Sequence, residues 1–294
     1  MIRFIATRTV GALATLLIAV SLAFFLSRFA GDPVRNMLGT LAPADQVEQM
    51  RAQLGYDRPL SVQWVDYLRD LARGDLGRSL RYGEANTTVI AGRLGASVKL
   101  AVAALAIAVV IGVPIGLIAA KKEGTWVDRA LMATSLIGQS VPAFWLAMIA
   151  VLVFAVRFGW LPAGGTGTWR HLVLPAATLA LSPLARVARM TRSAAVEILQ
   201  EPFILAARAR GVPEQRMLVS HVMRNISLPV VTVVGLQAGA LLSGAVTIEV
   251  VFGWPGMGQL AVQAVQFRDF PLVQSIVIVG AVVFVGVNLL VDVL

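Results

Sequence analysis

The side chains able to do covalent, acid–base or metal chemistry are few in this sequence, and they are far apart. Cysteine is absent, which removes disulfides, thiolate catalysis and Cys-based metal sites. The two histidines, His171 and His221, fall in different segments, and neither a His-Glu-x-x-His nor a Gly-x-Ser-x-Gly is present. Lys99, Lys121 and Lys122 are the only lysines. None follows a Gly-x-x-x-x-Gly, so the chain has no phosphate loop for ATP. The runs 225–248 and 270–291 hold no acid pair for an intramembrane aspartyl protease. The most informative segment is Glu201-Pro202-Phe203-Ile204-Leu205-Ala206-Ala207-Arg208-Ala209-Arg210-Gly211-Val212-Pro213. It reads as an alanine-rich helix that ends at Gly211, a residue able to take the left-handed stop, after which Val212-Pro213 re-aims the chain. A second helical stretch with Arg216, His221 and Arg224 follows and ends at Leu228-Pro229. The chemistry open to such a segment is recognition. A short, small-faced helix can seat in a groove of another protein and carry that protein's motion. A basic amphipathic helix can also lie on anionic lipid, and both readings stand.

The elements that must position this segment are membrane spans. Of 294 residues 57% are hydrophobic and only 14% are charged, and the mean hydropathy is +0.78. A soluble domain carries about 25% charged residues, so an ordinary soluble enzyme is excluded. Six charge-free runs stand out: Thr9–Ser27, Leu100–Ala120, Ala130–Val156, Leu172–Ala185, Asn225–Ile248 and Phe270–Val291. About 20 apolar residues cross a hydrocarbon core as a helix. Five runs satisfy this comfortably, whereas Leu172–Ala185 has 14 residues and contains Pro175 and Pro183, so length alone would allow a re-entrant segment.

Charge argues that the fourth run crosses. With the N-terminus inside, six spans leave 1–8, 121–129 and 186–224 in the cytoplasm, carrying 12 basic residues against five acids. The outer loop 30–96 is balanced at eight of each. If the fourth run did not cross, the seven arginines of 186–224 would lie outside, against the positive-inside rule. The fourth span then runs on as an amphipathic helix past Arg186, Arg189 and Arg192. The net charge of +9 thus reports topology rather than nucleic-acid binding. The first run is too long for a signal-peptide core, and Arg28 stands where a small residue would precede cleavage, so it reads as a retained anchor. The chain stops at Leu294 directly after the sixth run, where a polar tail is expected, which reads as a trimmed end.

In the outer loop, Pro43 to Leu54 reads as a short helix stopped by Gly55. Ser61 reads as the N-cap of a second helix, with Val62, Val65, Leu68 and Leu71 on one face and Gly74 as the stop. The loop is either a packed cap or a docking surface for an outer partner. The span centres hold no ionisable residue; Arg28, Lys99, Glu249 and Asp292 lie at run ends, where side chains snorkel. A pump with neither a nucleotide site nor buried charges must draw its energy from a separate subunit.

The segment ending Ala207-Arg208-Ala209-Arg210-Gly211 resembles the coupling loop of type I ATP-binding-cassette (ABC) importer permeases, with Leu205 where the motif's glutamate would stand. Three further blocks resemble the peptide/nickel branch in order: Gly31-Asp32-Pro33 with Leu54-Gly55-Tyr56-Asp57-Arg58-Pro59; Gly74-Asp75-Leu76-Gly77-Arg78-Ser79; and Glu249-Val250-Val251-Phe252-Gly253-Trp254-Pro255-Gly256-Met257-Gly258 with Arg268-Asp269-Phe270-Pro271. The resemblance is to the B-type permease subunit of a dipeptide or oligopeptide importer.

That resemblance implies an all-α polytopic fold. Six transmembrane helices form a MetI-like core, about 95–294 with the coupling loop at 186–224, preceded by the first helix (1–29) and an outer-loop cap (30–94). It implies a non-catalytic subunit of the bacterial inner membrane with both termini cytoplasmic. The implied partners are a second homologous permease, two ATPase subunits holding ATP and Mg, and a periplasmic or lipid-anchored solute-binding protein. No cofactor, metal or nucleic acid is implied for this chain. The coupling residues would be Phe203, Ala206, Ala207, Arg208, Ala209, Arg210, Gly211 and Pro213. The path or gate would include Gln139, Ser140, Pro142, Gln237, Glu249, Pro255 and Gly256. Each of the polar groups Gln139, Ser140 and Gln237 also has a plain reading as a helix-packing hydrogen bond, and Glu249–Gly258 as an interhelical turn with an interfacial Trp254. Gly112-x-x-x-Gly116, and Gly235, Gly239 and Ser243, would allow close helix approach, either within the chain or at a seam with the partner. Cargo in this branch includes dipeptides, longer peptides, glutathione, opines and chelated nickel; a stand-alone secondary carrier is the competing class.

Overall fold

The computed structural model describes residues 2–29, 33–38, 42–53 and 55–293. Gly31, Asp32 and Leu54 lie outside the described residues, as do the side chains of Ser243 and Asp292. In chain order the helices begin with α1 (Ile2–Phe29), α2 (Pro33–Leu38), α3 (Ala44–Gln53), α4 (Leu60–Ala72), α5 (Asn86–Lys121), α6 (Trp126–Ser140) and α7 (Ala143–Ala150), the last prolonged by a π-helical turn, Val151–Arg157. Then come α8 (Arg170–Leu199), α9 (Pro202–Ala209), α10 (Glu214–Arg216) with a π-helical turn Met217–Val222, α11 (Met223–Gly244), α12 (Val246–Val251), α13 (Met257–Gln266) and α14 (Phe270–Val293). Five segments are long and apolar enough to cross a membrane: α1, α5, α8, α10–α11 and α14. The pair α6 and α7, bent by 99° at their junction, makes a sixth when counted as one crossing.

The chain forms two compact units, Met1–Gly95 with Gly256–Leu289, and Ala96–Pro255 with Leu290–Leu294. In the first, the outer-loop helix α4 is fastened to α1. The Trp64 indole donates to Ser21 Oγ at 3.2 Å, and the rings of Phe24 and Tyr67 lie 5.3 Å apart. The Arg28 guanidinium sits 4.2 Å over the Tyr56 ring. This corrects the expected stripe: Val62 and Val65 are exposed, while Trp64, Tyr67, Leu68 and Leu71 are partly buried. Aromatic rings bury more area than valines, so they decide which face turns inward. Pro59, not Ser61, occupies the N-cap of α4. A buried carboxylate organises the other end of this unit. Asp269 accepts from Ser79 Oγ at 2.5 Å and from the backbone N–H of Arg81 and Leu272. Asn86 Nδ2 donates to Leu76 O and Ser275 Oγ. Below this clamp Ile90, Met257, Leu260, Leu272 and Ile276 pack together.

The second unit is built around α8, which packs against α6, α7, α11 and α12. The run expected to cross simply, Ala130–Val156, is broken, whereas the short fourth run is the interior of a continuous 30-residue helix that runs on past Arg186, Arg189 and Arg192 as the charge balance required. The break has a local cause. Proline forces its predecessor out of the helical region, and Val141 is extended at φ −90, ψ 134, with Pro142 following at φ −57, ψ 130. Helix α8 keeps its course through Pro175 and Pro183 as the most enclosed of the five unbroken candidate spans: 56% of its apolar window is buried, against 11–33% for the other four. Small residues make that possible. Ala176, Ala180, Ala185, Ala188 and Ala195 are all buried along it, and α5 lies close against them. A Cβ at Gly116 would stand 2.5 Å from Ala188 O, and one at Gly112 3.0 Å from Leu184 O. A Cβ at Gly235 would meet Val291. These three glycines therefore serve approaches within the chain.

A bidentate ion pair ties α6 to α8. Arg192 Nε and Nη2 meet Asp128 Oδ1 and Oδ2 at 2.5 and 2.7 Å, and Asp128 also accepts from Gly124 N. The Asp128 side chain is 6% exposed.

Two outcomes follow from this packing. Gly116→Ala drives a methyl into backbone and is expected to cost about 1–3 kcal/mol, read as a lower unfolding midpoint of the purified membrane protein, with Gly112→Ala costing less. Asp128→Ala leaves a guanidinium unpaired and is expected to cost about 3 kcal/mol. Adding Arg192→Met should recover part of that loss; a double-mutant cycle with no coupling would show that the pair contributes nothing.

Candidate translocation path and coupling segment

Helix α8 carries its arginines at spacings of three, Arg186, Arg189 and Arg192, and each meets a different oxygen. Arg192 has the Asp128 carboxylate. Arg189 Nη2 donates to Gln139 Oε1 of α6 at 2.5 Å. Arg186 Nη1 donates to Gln237 Oε1 of α11 at 2.7 Å. A guanidinium only donates, so each glutamine must present its oxygen. These arginines lie on a candidate spanning helix, so ionisable groups do line the interior of the second unit. The charge-free stretches seen in the sequence end one residue short of the first of them.

A cavity of about 370 Å³ opens beside this ladder. The broken junction supplies Gln139, Val141 and Pro142, α8 supplies Thr178, Ser182 and Arg186, and α11 supplies Gln237 and Leu241. Three of the expected path residues, Gln139, Pro142 and Gln237, therefore share one cavity. Ser140 lies outside its lining, with Oγ donating to Leu136 O in its own helix. The sequence reading placed Arg186 on the helix but did not assign it to the path. Its signal was the three-residue arginine spacing, which sets one stripe facing α6 and α11.

The expected gate segment is more ordered than its turn-like composition suggested. Glu249 is helical within α12 and 1% exposed, and it accepts from Ser97 Oγ at 2.6 Å. It does not snorkel: a hydroxyl donor inside the fold substitutes for water. The turn begins only at Phe252, with Gly253 left-handed at φ +59. Trp254 is buried, its indole donating to Ala96 O at 2.9 Å, so it is no interfacial anchor. Pro255 ends this unit, and Gly256 opens the other.

The expected coupling segment forms helix α9. Pro202 starts it, where a missing N–H costs nothing. Gly211, at φ +77, ends it: Gly211 N bonds Arg208 O and Val212 N bonds Ala207 O, the paired bonds of a left-handed stop. Ile204 and Ala207 turn inward and are buried, whereas Phe203, Leu205, Ala206, Arg208, Ala209 and Arg210 are exposed. Ile204 joins a core with Val113, Val187, Met217, Val222 and Ile226. Arg208 Nε meets Glu214 Oε1 at 2.8 Å and braces the turn around Pro213. Among the described residues no group of three His, Cys, Asp or Glu could hold a metal ion.

Comparison with known proteins agrees along the whole chain. Residues 112–294 match the family described as "Binding-protein-dependent transport system inner membrane component". Residues 1–107 match that described as "Binding-prot-dependent transport system membrane comp, N-term". The glutathione transport system permease protein GsiC of Pectobacterium atrosepticum is 41% identical over 295 aligned positions, covering 100% of this chain and 96% of the relative. GsiC of Escherichia coli strain K12 is 39% identical over the same shares. Among solved structures, the inward-facing MetNI methionine ABC transporter gives a TM-score of 0.56 at 19% identity, covering 70% of this chain and 96% of that one. An amino acid ABC transporter gives 0.55 at 18%, covering 70% and 92%. At such identities those two show the shared fold alone. The helical architecture, the candidate spans and the family matches converge: this chain belongs to the binding-protein-dependent transport system inner membrane components and is a permease of an ABC importer.

Proposed function

We propose that this permease imports short peptides, with glutathione, a modified tripeptide, the cargo that its relatives' names favour. In this reading the chain is half of a pore in the bacterial inner membrane, with both termini in the cytoplasm. It pairs with a second homologous permease, rests on two ATPase subunits that hold ATP and Mg, and receives cargo from a periplasmic or lipid-anchored solute-binding protein. It does no catalysis and needs no cofactor of its own. Dipeptides, opines and nickel chelates are the competing cargoes.

One observation carries the mechanical part. Helix α9 exposes one face while burying Ile204 in the core that α5, α8 and α11 share. A helix lying on lipid would need only an apolar face toward the membrane. A helix that transmits force needs a root in the moving body, and α9 has one. Closure of the ATPase pair would push α9, and α8 and α11 would move with it, so that the path alternates between the two sides.

The assembled transporter in proteoliposomes tests this reading. Glutathione uptake is expected to require both ATP and the binding protein; uptake by this chain without an ATPase would identify a stand-alone carrier instead. Within the same system, Gly211→Val forces a β-branched residue into a left-handed conformation costing about 1–2 kcal/mol. Uptake is expected to fall about tenfold while ATP hydrolysis continues and the protein remains in the membrane. Normal coupled uptake in that variant would move the coupling site elsewhere.

A further inference from the structure

We propose that the cavity among α6, α7, α8 and α11 binds the substrate's carboxylate during passage, with Arg186 as the charged anchor. This deepens the peptide-importer reading and rests on it. Three observations combine. First, the arginines of α8 are compensated unequally: Arg192 faces a carboxylate, whereas among the described residues no acid pairs with Arg186. A half-buried guanidinium without a counter-charge is left able to take one from a ligand. Second, the bond to Gln237 uses one guanidinium nitrogen of a group with five N–H donors, and Arg186 lines the cavity. Third, the cavity's size and composition suit a small peptide. Its volume, about 370 Å³, lies within the range of small-molecule sites. Leu146, Leu179 and Leu241 give it apolar walls, and Gln139, Thr178 and Ser182 add polar groups for amides.

A guanidinium fork matches a planar carboxylate in a bidentate geometry, and every unmodified peptide carries one at its C-terminus. Gln237 holds the fork while the site is empty, and a carboxylate supplies the charge that a neutral amide lacks. Cargo without a carboxylate, or with a net positive charge, is disfavoured at this point. The site therefore adds selection within the permease to any made by a separate binding protein.

The test uses the whole transporter in nanodiscs, without its binding protein, and radiolabelled glutathione as probe. Unlabelled glutathione should displace the label at least tenfold better than its diethyl ester, which lacks both carboxylates. Arg186→Gln should weaken glutathione binding about tenfold or more, the scale of a lost charge-assisted bond, and Arg186→Lys should fall between it and wild type. Ser182→Asp offers an independent route: one turn before Arg186, it supplies an internal carboxylate and should weaken binding similarly. If Arg186→Gln fails to assemble, this variant and the ester competition still decide. Equal competition by the ester, absence of glutathione binding to wild type, or unchanged affinity in the variants overturns the site. If the same transporter, reconstituted in proteoliposomes with its binding protein, still shows ATP-driven glutathione uptake, the importer reading survives that result. An assembly that takes up neither glutathione nor a dipeptide overturns the importer reading itself.

Discussion

A charged group taken out of water must find its partner within the protein, and the second unit is arranged around that requirement. Helix α8 brings three guanidinium groups into the bundle, and α6 and α11 are placed so that each meets an oxygen. The compensation is graded along the helix. Arg192 has a carboxylate with two short bonds, Arg189 a neutral amide, and Arg186 a neutral amide beside an open cavity. Breaking a buried ion pair costs several kcal/mol, whereas an arginine can leave an amide for a better acceptor at little cost. The Asp128 contact between α6 and α8 is therefore the fixed one, and the Gln237 contact between α8 and α11 is the one able to respond to a ligand.

The break in the third apolar run belongs to the same arrangement. Non-helical backbone at membrane depth is tolerated only where protein or a cavity covers it. The extended residues Val141 and Pro142 line the cavity, and the flanking turns stay bonded, with Val141 N on Ile137 O and Trp145 N and Leu146 N on Pro142 O. A straight helix through this region would carry Gln139 and Leu146 along one axis. The 99° bend instead turns the backbone at the cavity wall, so the proline that interrupts the span also shapes the site.

Most spans were legible because a long apolar run needs no context to be recognised. The α9 stop was legible because Gly211 carries a local conformational signal. What the sequence concealed depends on neighbours. Ala130–Val156 contains no charge, so its break at Val141-Pro142 was invisible to a count of apolar residues, although the dipeptide was a local warning. Leu172–Ala185 appeared short because the count stops at Arg186; the charge balance carried the helix past Arg192, as α8 runs, but could not name the partners of its arginines on α6 and α11. Glu249 and Trp254 were placed at the membrane surface by their chemistry, yet Ser97 Oγ and Ala96 O satisfy them inside the fold. Ser61 had the right side chain for a cap, but Pro59 at the chain's approach to α4 decided where that helix begins.

The proposed coupling helix and the proposed carboxylate site of the second unit are joined by the helices that connect them. Helix α9 follows α8 directly and leads through α10 into α11, and its buried Ile204 packs with Val187 of α8 and Ile226 of α11. Arg186 is the residue before Val187, and Gln237 lies three turns beyond Ile226 on the same helix. A displacement of α9 would therefore reach both sides of the Arg186–Gln237 bond through the packing of Ile204 on α8 and α11. That bond joins the two helices directly. A carboxylate held at Arg186 and a motor acting on α9 would then bias the same pair of helices, which gives cargo and ATPase a common structural element on which to act.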